Sequence, residues 1–251
     1  MRYPAIAELK YDGEFDFLYY DRTGVKGTYT INKYGTTRYS FPALTAIHET
    51  LALRKVDNAI ILCEVYWDDG KAGKLYELNS NKTNDNIRIA MFDILSYNDT
   101  VIGDLELITR KEVLFDLFGK RWQPQYVVVT DKIEANEVFQ ASTVSGWEGI
   151  VVKNLDSPLT LGPCSWVKMK FKDQSDYKVI LVDQTKERIE IEAPAVTSNS
   201  GGTTWISVGV KAPNRYKKHI KVGDVVTIEH QGQMKSGSLR HPVLIKKKEW
   251  V

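Results

Sequence analysis

Lys10-Tyr11-Asp12-Gly13 is the stretch from which the rest of this chain is best read. Alone it says little. Asp-Gly is an ordinary tight-turn signal, and a lysine just before such a turn is usually a solvated strand end. The residues downstream give it meaning, because lysines, glutamates and aromatics arrive there in an order that transfer of a nucleotide would require.

Working outward, Trp166-Val167-Lys168-Met169-Lys170-Phe171 reads as a strand. Alternation puts Trp166, Lys168 and Lys170 on one side and Val167, Met169 and Phe171 on the other. With the apolar set turned to a core, two ammonium groups share one face and favour an anion between them; an exposed sheet face is the plainer alternative. Glu64 interrupts the apolar run Ile60-Ile61-Leu62-Cys63-Glu64-Val65-Tyr66-Trp67, and Glu148 opens Glu148-Gly149-Ile150-Val151-Val152-Lys153. Burying either carboxylate is expensive without a cation or donors, so each is a structural ion pair or part of a site with a divalent metal and a ribose hydroxyl. Phe92, in Ile87–Leu95, reads first as core.

The chain is α+β by pattern. In the first two-thirds, residues 15–20, 25–31, 60–67, 87–95, 126–130 and 149–153 read as strands. Helices are expected over Pro42–Arg54, from a capping box at Thr109-Arg110-Lys111-Glu112 to Gly119, and over Ala135–Val144. Past residue 173 come short strands at 179–183, 188–192, 205–211, 225–230 and 243–248, with a turn-rich stretch at Thr197–Thr203. Five short strands suit a small OB-type β-barrel, so the expected domains are 1–173 and 174–251.

Length and composition fit this plan. The 251 residues leave room for two modest cores, and 43% hydrophobic with 26% charged residues is a globular balance. No apolar run approaches a membrane span, and the first residues lack a signal-peptide pattern. Cys63 and Cys164 form no metal-binding pattern, so a cytoplasmic, reducing setting is expected. The net charge of +2 hides an asymmetry: residues 174–251 hold 13 Lys/Arg against 8 Asp/Glu, and residues 1–173 hold 21 against 24. A basic C-terminal third fits contact with a polyanion, or simply a soluble basic surface.

Lys10-Tyr11-Asp12-Gly13, the Glu64 strand, Phe92-Asp93-Ile94-Leu95, Glu148–Lys153 and Trp166–Lys170 resemble, in order and spacing, the nucleotidyltransferase motifs of ATP-dependent DNA ligases. Gly223-Asp224-Val225-Val226 and Gly237-Ser238-Leu239-Arg240-His241-Pro242 resemble that family's OB domain and final motif. The resemblance covers nearly the whole chain. It implies an ATP-grasp-like adenylation domain followed by an OB barrel.

It also implies roles. Lys10 would attack the α-phosphorus of ATP to form lysyl-AMP, with AMP then passing to the 5′-phosphate of a nick and the 3′-hydroxyl sealing it. Lys168 and Lys170 would neutralise charge on the phosphates and favour the free amine that attack requires. Glu8 would lie near adenine, Phe92 would stack on it, and Lys153 would serve the sugar-phosphate side. Glu64 would reach ribose or metal and Glu148 the metal, Mg²⁺ or Mn²⁺ in its place. Lys33 would stand in for an arginine of the family. Arg240, Lys246 and Lys248 would contact nicked double-stranded DNA, the protein acting as a monomer.

Three departures stand out. Phe15 occupies a place where the family often has arginine for the nicked 5′-phosphate. Lys246-Lys247-Lys248 before Trp250 replaces arginines, giving charge without a bidentate fork. Only nine residues precede Lys10, so a minimal ligase without an N-terminal DNA-binding domain is expected, and ATP rather than NAD as cofactor. The rival readings are an RNA ligase with the same lysyl-AMP chemistry, a GTP-using capping enzyme, and a non-catalytic OB-type nucleic-acid-binding protein.

Overall fold

The computed structural model describes residues 1–24, 27–39, 41–67, 86–160, 166–183, 185–196, 203–212, 219–233 and 237–248. Val25, Lys26, Cys164, Trp250 and all but the last residue of the expected 197–203 turn lie outside them. The chain divides into two compact units, Met1–Met169 and Lys170–Val251. Among the described residues no helix is long and apolar enough to cross a membrane.

Two sheets build the first unit. One has six strands: β2 (Gly13–Asp21), β3 (Thr28–Asn32), β4 (Thr37–Arg38), β5 (Asn58–Trp67), β6 (Ile87–Tyr97) and β7 (Thr100–Val101), in the order β4-β3-β2-β5-β6-β7. The other has four: β1 (Ala5–Lys10), β8 (Tyr126–Val129), β9 (Gly149–Asn154) and β10 (Val167–Lys170), in the order β10-β9-β1-β8. The six-stranded sheet buries Leu18, Ile61, Val65 and Met91 against helices α1 (Pro42–Leu53) and α2 (Leu107–Phe118). The smaller sheet packs Ala5, Ala7, Ile150 and Val152 with Ala135 of α3 (Lys132–Val144).

α1 has proline in its first turn, where the missing N–H costs nothing, and buries Leu44, Ile47 and Leu51 at helical spacing. α2 corrects the expected capping box. The helix begins at Leu107 behind Glu106, which makes no side-chain cap bond, and Thr109 lies inside the first turn. Leu107, fully buried ahead of the box, draws the helix start back to itself. Gly119 ends it at φ 63°, a conformation glycine adopts without strain. α3 starts three residues before the expected Ala135, because Asp131 accepts from the N–H groups of Ile133 (2.7 Å) and Glu134 (2.9 Å), while Glu134 accepts from Thr130 N–H (2.7 Å).

The second unit is a closed five-stranded barrel: β11 (Asp173–Asp183), β12 (Arg188–Val196), β13 (Thr203–Lys211), β14 (Val225–His230) and β15 (Val243–Lys247), closing in the order β11-β12-β13-β15-β14. Its core holds Val179, Ile189, Ile191, Val210, Val226 and Ile228. β11 begins six residues before the apolar run that marks it in sequence. Asp173–Lys178 pair residue by residue with His230–Val225, so the backbone ladder carries a stretch whose side chains are mostly exposed.

Candidate active site

β1 is the strand on which the site is built, and it is absent from the strands read in the sequence. It pairs with β9 in a register that sets Lys10 opposite Gly149. That register brings the Lys10 ammonium onto the Glu148 carboxylate, in a pair whose side chains are 14% and 7% exposed. Lys10 Nζ also donates to the Tyr11 carbonyl at 3.2 Å. In place of the tight turn expected at Asp12-Gly13, the chain bends at Asp12 and Gly13 already opens β2 in the other sheet, and the lysine before it is largely enclosed.

Gly13 is set by close approach. A side chain there would collide with the Val65 carbonyl oxygen and come within 2.8 Å of Glu64 Cγ. Without one, its N–H donates to Glu64 Oε1 at 3.2 Å. Cross-strand register places Phe15 beside Glu64, and Glu64 beside Ala90. Burial pushes the Glu64 carboxyl up to about 7; Lys10 and Lys168 oppose the shift and the charge of Glu148 adds to it. Two carboxylates that repel each other across a pocket suit an added cation. Among the described residues no group of three or more His, Cys, Asp or Glu gathers to hold a metal. A Mg²⁺ ion would fit here as such ions usually bind, through one or two carboxylates, with phosphate and water oxygens completing the shell.

The pocket is lined by Glu8, Lys10, Tyr11, Phe15, Glu64, Ala90, Phe92, Pro124, Lys153, Trp166 and Lys168, among others. At one end Glu8, 2% exposed, takes Lys111 on one oxygen and Lys153 on the other. Burial acts to raise its carboxyl, but the two ammoniums outweigh it and hold the group below the usual range. Burial also lowers Lys111, with Lys153 acting in the same direction and Glu8 against it. Lys153 lies over the rings of Phe92 (4.8 Å) and Trp166 (4.2 Å). Lys153, expected on the sugar-phosphate side, lines the pocket and is 1% exposed, enclosed by Glu8 and these aromatics.

Lys111 is the residue that sequence reasoning missed. The signal was present, since Leu107, Arg110, Lys111, Leu114, Leu117 and Phe118 share helical spacing and all are buried. Arg110 clamps Asp93 through two bonds of 2.7 and 3.0 Å and donates to the carbonyls of Gly103 and Ser157. Asp93, next to Phe92, is thereby a structural carboxylate that fixes β6 against the start of α2.

The other expected site residues divide. Phe92, Lys168 and Glu64 line the pocket with Lys10. Lys170 is half-buried in β10 but is not among the residues that line it. Of the apolar set on that strand only Met169 packs on a core; Val167 and Phe171 are 43% and 45% exposed, because β10 is an edge strand. Lys33 is exposed on the turn after β3, its ammonium 4.9 Å from the Tyr34 ring, and the structure does not bring it to the pocket. In the barrel, Arg240 is half-buried, Lys246 is exposed, and Lys248 pairs with Asp176 at 2.7 Å as Lys247 does with Asp224 at 2.8 Å.

The site thus brings together a lysine against a carboxylate, a second repelling carboxylate, and an aromatic pocket with a buried acceptor. Residues 1–170 match the family described as ATP dependent DNA ligase domain. The chain belongs to the ATP-dependent DNA ligase domain family. It is 27% identical to DNA ligase 1 of Arabidopsis thaliana over 190 residues, covering 67% of this chain and 24% of that protein. It is 26% identical to a DNA ligase of Methanocaldococcus jannaschii over 212 residues, covering 71% and 36%. The matches therefore span only a quarter to about a third of these ligases' own length. Among solved structures, one from a structure-function analysis of Lig E DNA ligases, described as DNA binding with a minimal scaffold, has a TM-score of 0.69. It is 16% identical and covers 98% of this chain and 93% of that one, a likeness of fold.

Proposed function

We propose that this protein is an ATP-dependent DNA ligase that seals 3′-hydroxyl/5′-phosphate nicks in double-stranded DNA through lysyl-AMP on Lys10. The observation that carries the reading is the Lys10–Glu148 pair at a pocket that Lys10 lines together with Glu64 and Lys168. The Lys10 ammonium, paired with Glu148, releases its proton to solvent, which neighbouring cations favour, leaving a free amine. The amine then bonds to the α-phosphorus of ATP, and the bond to pyrophosphate breaks with its electrons leaving on that group. The nick's 5′-phosphate oxygen next takes the AMP, which returns the Lys10 amine. Attack by the 3′-hydroxyl then forms the phosphodiester and expels AMP.

In this reading Lys168 offsets charge on the phosphates and Lys170 assists from the same strand, while Phe92 and Glu8 receive the adenine. Glu64 and Glu148 would hold Mg²⁺ or Mn²⁺, which when bound would neutralise charge at the α-phosphate. The barrel's strand order and its parallel closure through Lys211 and Val243 support an OB-type domain. Arg240, Lys246 and Lys248 would meet the DNA there, the protein working as a monomer inside the cell, where its substrate is.

Incubation with α-labelled ATP and Mg²⁺ tests the site. A stable protein–AMP adduct is expected, absent in Lys10→Ala; an undiminished adduct in that variant would refute the assignment. Nicked DNA and nicked RNA duplexes offered side by side test the substrate, and sealing of RNA alone would overturn the DNA reading.

A further inference from the structure

A row of aromatic rings leaves the pocket and continues along an open sheet face. Phe92 and Phe15 line the pocket with ring centres 6.0 Å apart. From Phe15 the row passes to Phe17 at 5.0 Å and to Tyr19 at 6.5 Å. It crosses to β3 through Tyr29, stacked on Tyr19 at 5.2 Å and 13°, and ends at Tyr39, 5.5 Å farther on.

The strand pattern accounts for the row. Phe15, Phe17 and Tyr19 are alternate residues of β2 and share a face, while Asp16, Leu18 and Tyr20 between them are buried. Tyr19 is directly opposite Tyr29 in the ladder. Phe15, Phe17, Tyr19 and Tyr29 are half-exposed and Tyr39 is 47% exposed, so their rings are left open to solvent. A contiguous apolar face left open in this way marks a contact surface.

We propose that this row is a stacking platform for unpaired nucleotides of the DNA strand brought to Lys10. The inference rests on the proposed ligase activity and extends it to a substrate feature, an unpaired stretch beside the strand break. Continuity decides the occupant, because the first rings of the row are also walls of the nucleotide pocket. Beyond that pocket, the cross-strand neighbours of Phe17 and Tyr19 include Ile31, Leu62 and Ile60, and none is charged. Tyr19 and Tyr29 also line the hollow that Asp21 and Asp99 border, so a phosphate backbone would keep to the side of these rings away from those carboxylates. Bases inside a duplex are stacked on one another, so only unpaired ones can present their faces to these rings. Aromatic side chains on a sheet face take single-stranded bases in this way, with little regard to sequence.

The test uses the full chain and a fluorescent single-stranded oligodeoxynucleotide carrying a 5′-phosphate, with binding read by anisotropy. The double variant Tyr19→Ile/Tyr29→Thr keeps β-branched residues suited to the strand but removes both rings. It should bind about tenfold more weakly or worse, while Tyr19→Phe/Tyr29→Phe retains binding. All three proteins should form the protein–AMP adduct equally, which shows that the fold and the first chemical step are intact. Unchanged affinity in the ringless variant, or no binding of the oligonucleotide by the unaltered protein, overturns the platform. Failure of the unaltered protein to form the adduct overturns the ligase reading instead.

Discussion

Glu8, buried, and Glu64, half-buried, are carboxylates that line one pocket, and their surroundings drive them in opposite directions. Glu8 is one negative charge between two enclosed ammoniums. Removing it leaves two unpaired cations, whereas removing Lys111 leaves a neutral Glu8–Lys153 pair. Glu8→Gln should therefore cost about 3–5 kcal/mol, and Lys111→Met clearly less, by urea denaturation; the reverse order would contradict this charge count. Glu64 is the group held up to about 7 by burial. Its folded form binds a proton more tightly than its unfolded form, so its contribution to stability improves as pH falls from 8 towards 5. In EDTA, Glu64→Gln should be more stable than the unaltered protein by about 2–3 kcal/mol at pH 8, with the gap closing near pH 5. A Gln variant less stable at pH 8 would show that the carboxylate has a partner strong enough to offset its burial.

At the scale of elements, much of the plan was legible where side chains alternate or recur at helical spacing. β5, β6 and β14 follow from β-branched and aromatic runs, and α1 from Leu44, Ile47 and Leu51. What was hidden is the strand that carries Lys10. Ala5-Ile6-Ala7-Glu8-Leu9 has two alanines and a glutamate, poor strand formers whose place is secured by pairing on both edges rather than by propensity. The enclosure of Lys153 was hidden for a related reason, since burial of a lysine depends on a partner from another strand. α3 could have been placed correctly, because Asp131-x-x-Glu134 is itself a capping signature. Asp131→Ala should cost about 1 kcal/mol in thermal or urea denaturation; no change would mean that packing of Ala135 alone holds the helix start.

For the whole molecule, charge is distributed unequally, with the basic excess in the barrel third. The barrel's surface ion pairs Lys247–Asp224 and Lys248–Asp176 are partly exposed and worth little to stability, so these lysines can exchange carboxylates for phosphates at small cost. If the barrel contributes the main grip, nick affinity should fall steeply between roughly 50 and 200 mM salt. Lys246→Gln should reduce that slope by about one contact. Equal affinity across the range would place the grip elsewhere.

β1 is bonded along one edge to β8 and along the other to β9, with Ala5, Ile6 and Ala7 at 1% exposure or less. Its amides can meet solvent deuterium only when the sheet itself opens. The proposed nucleophile thus terminates a segment whose hydrogen exchange should be among the slowest in its unit. Chemistry at Lys10 would proceed on a fixed mount, with nucleotide and DNA arriving at it.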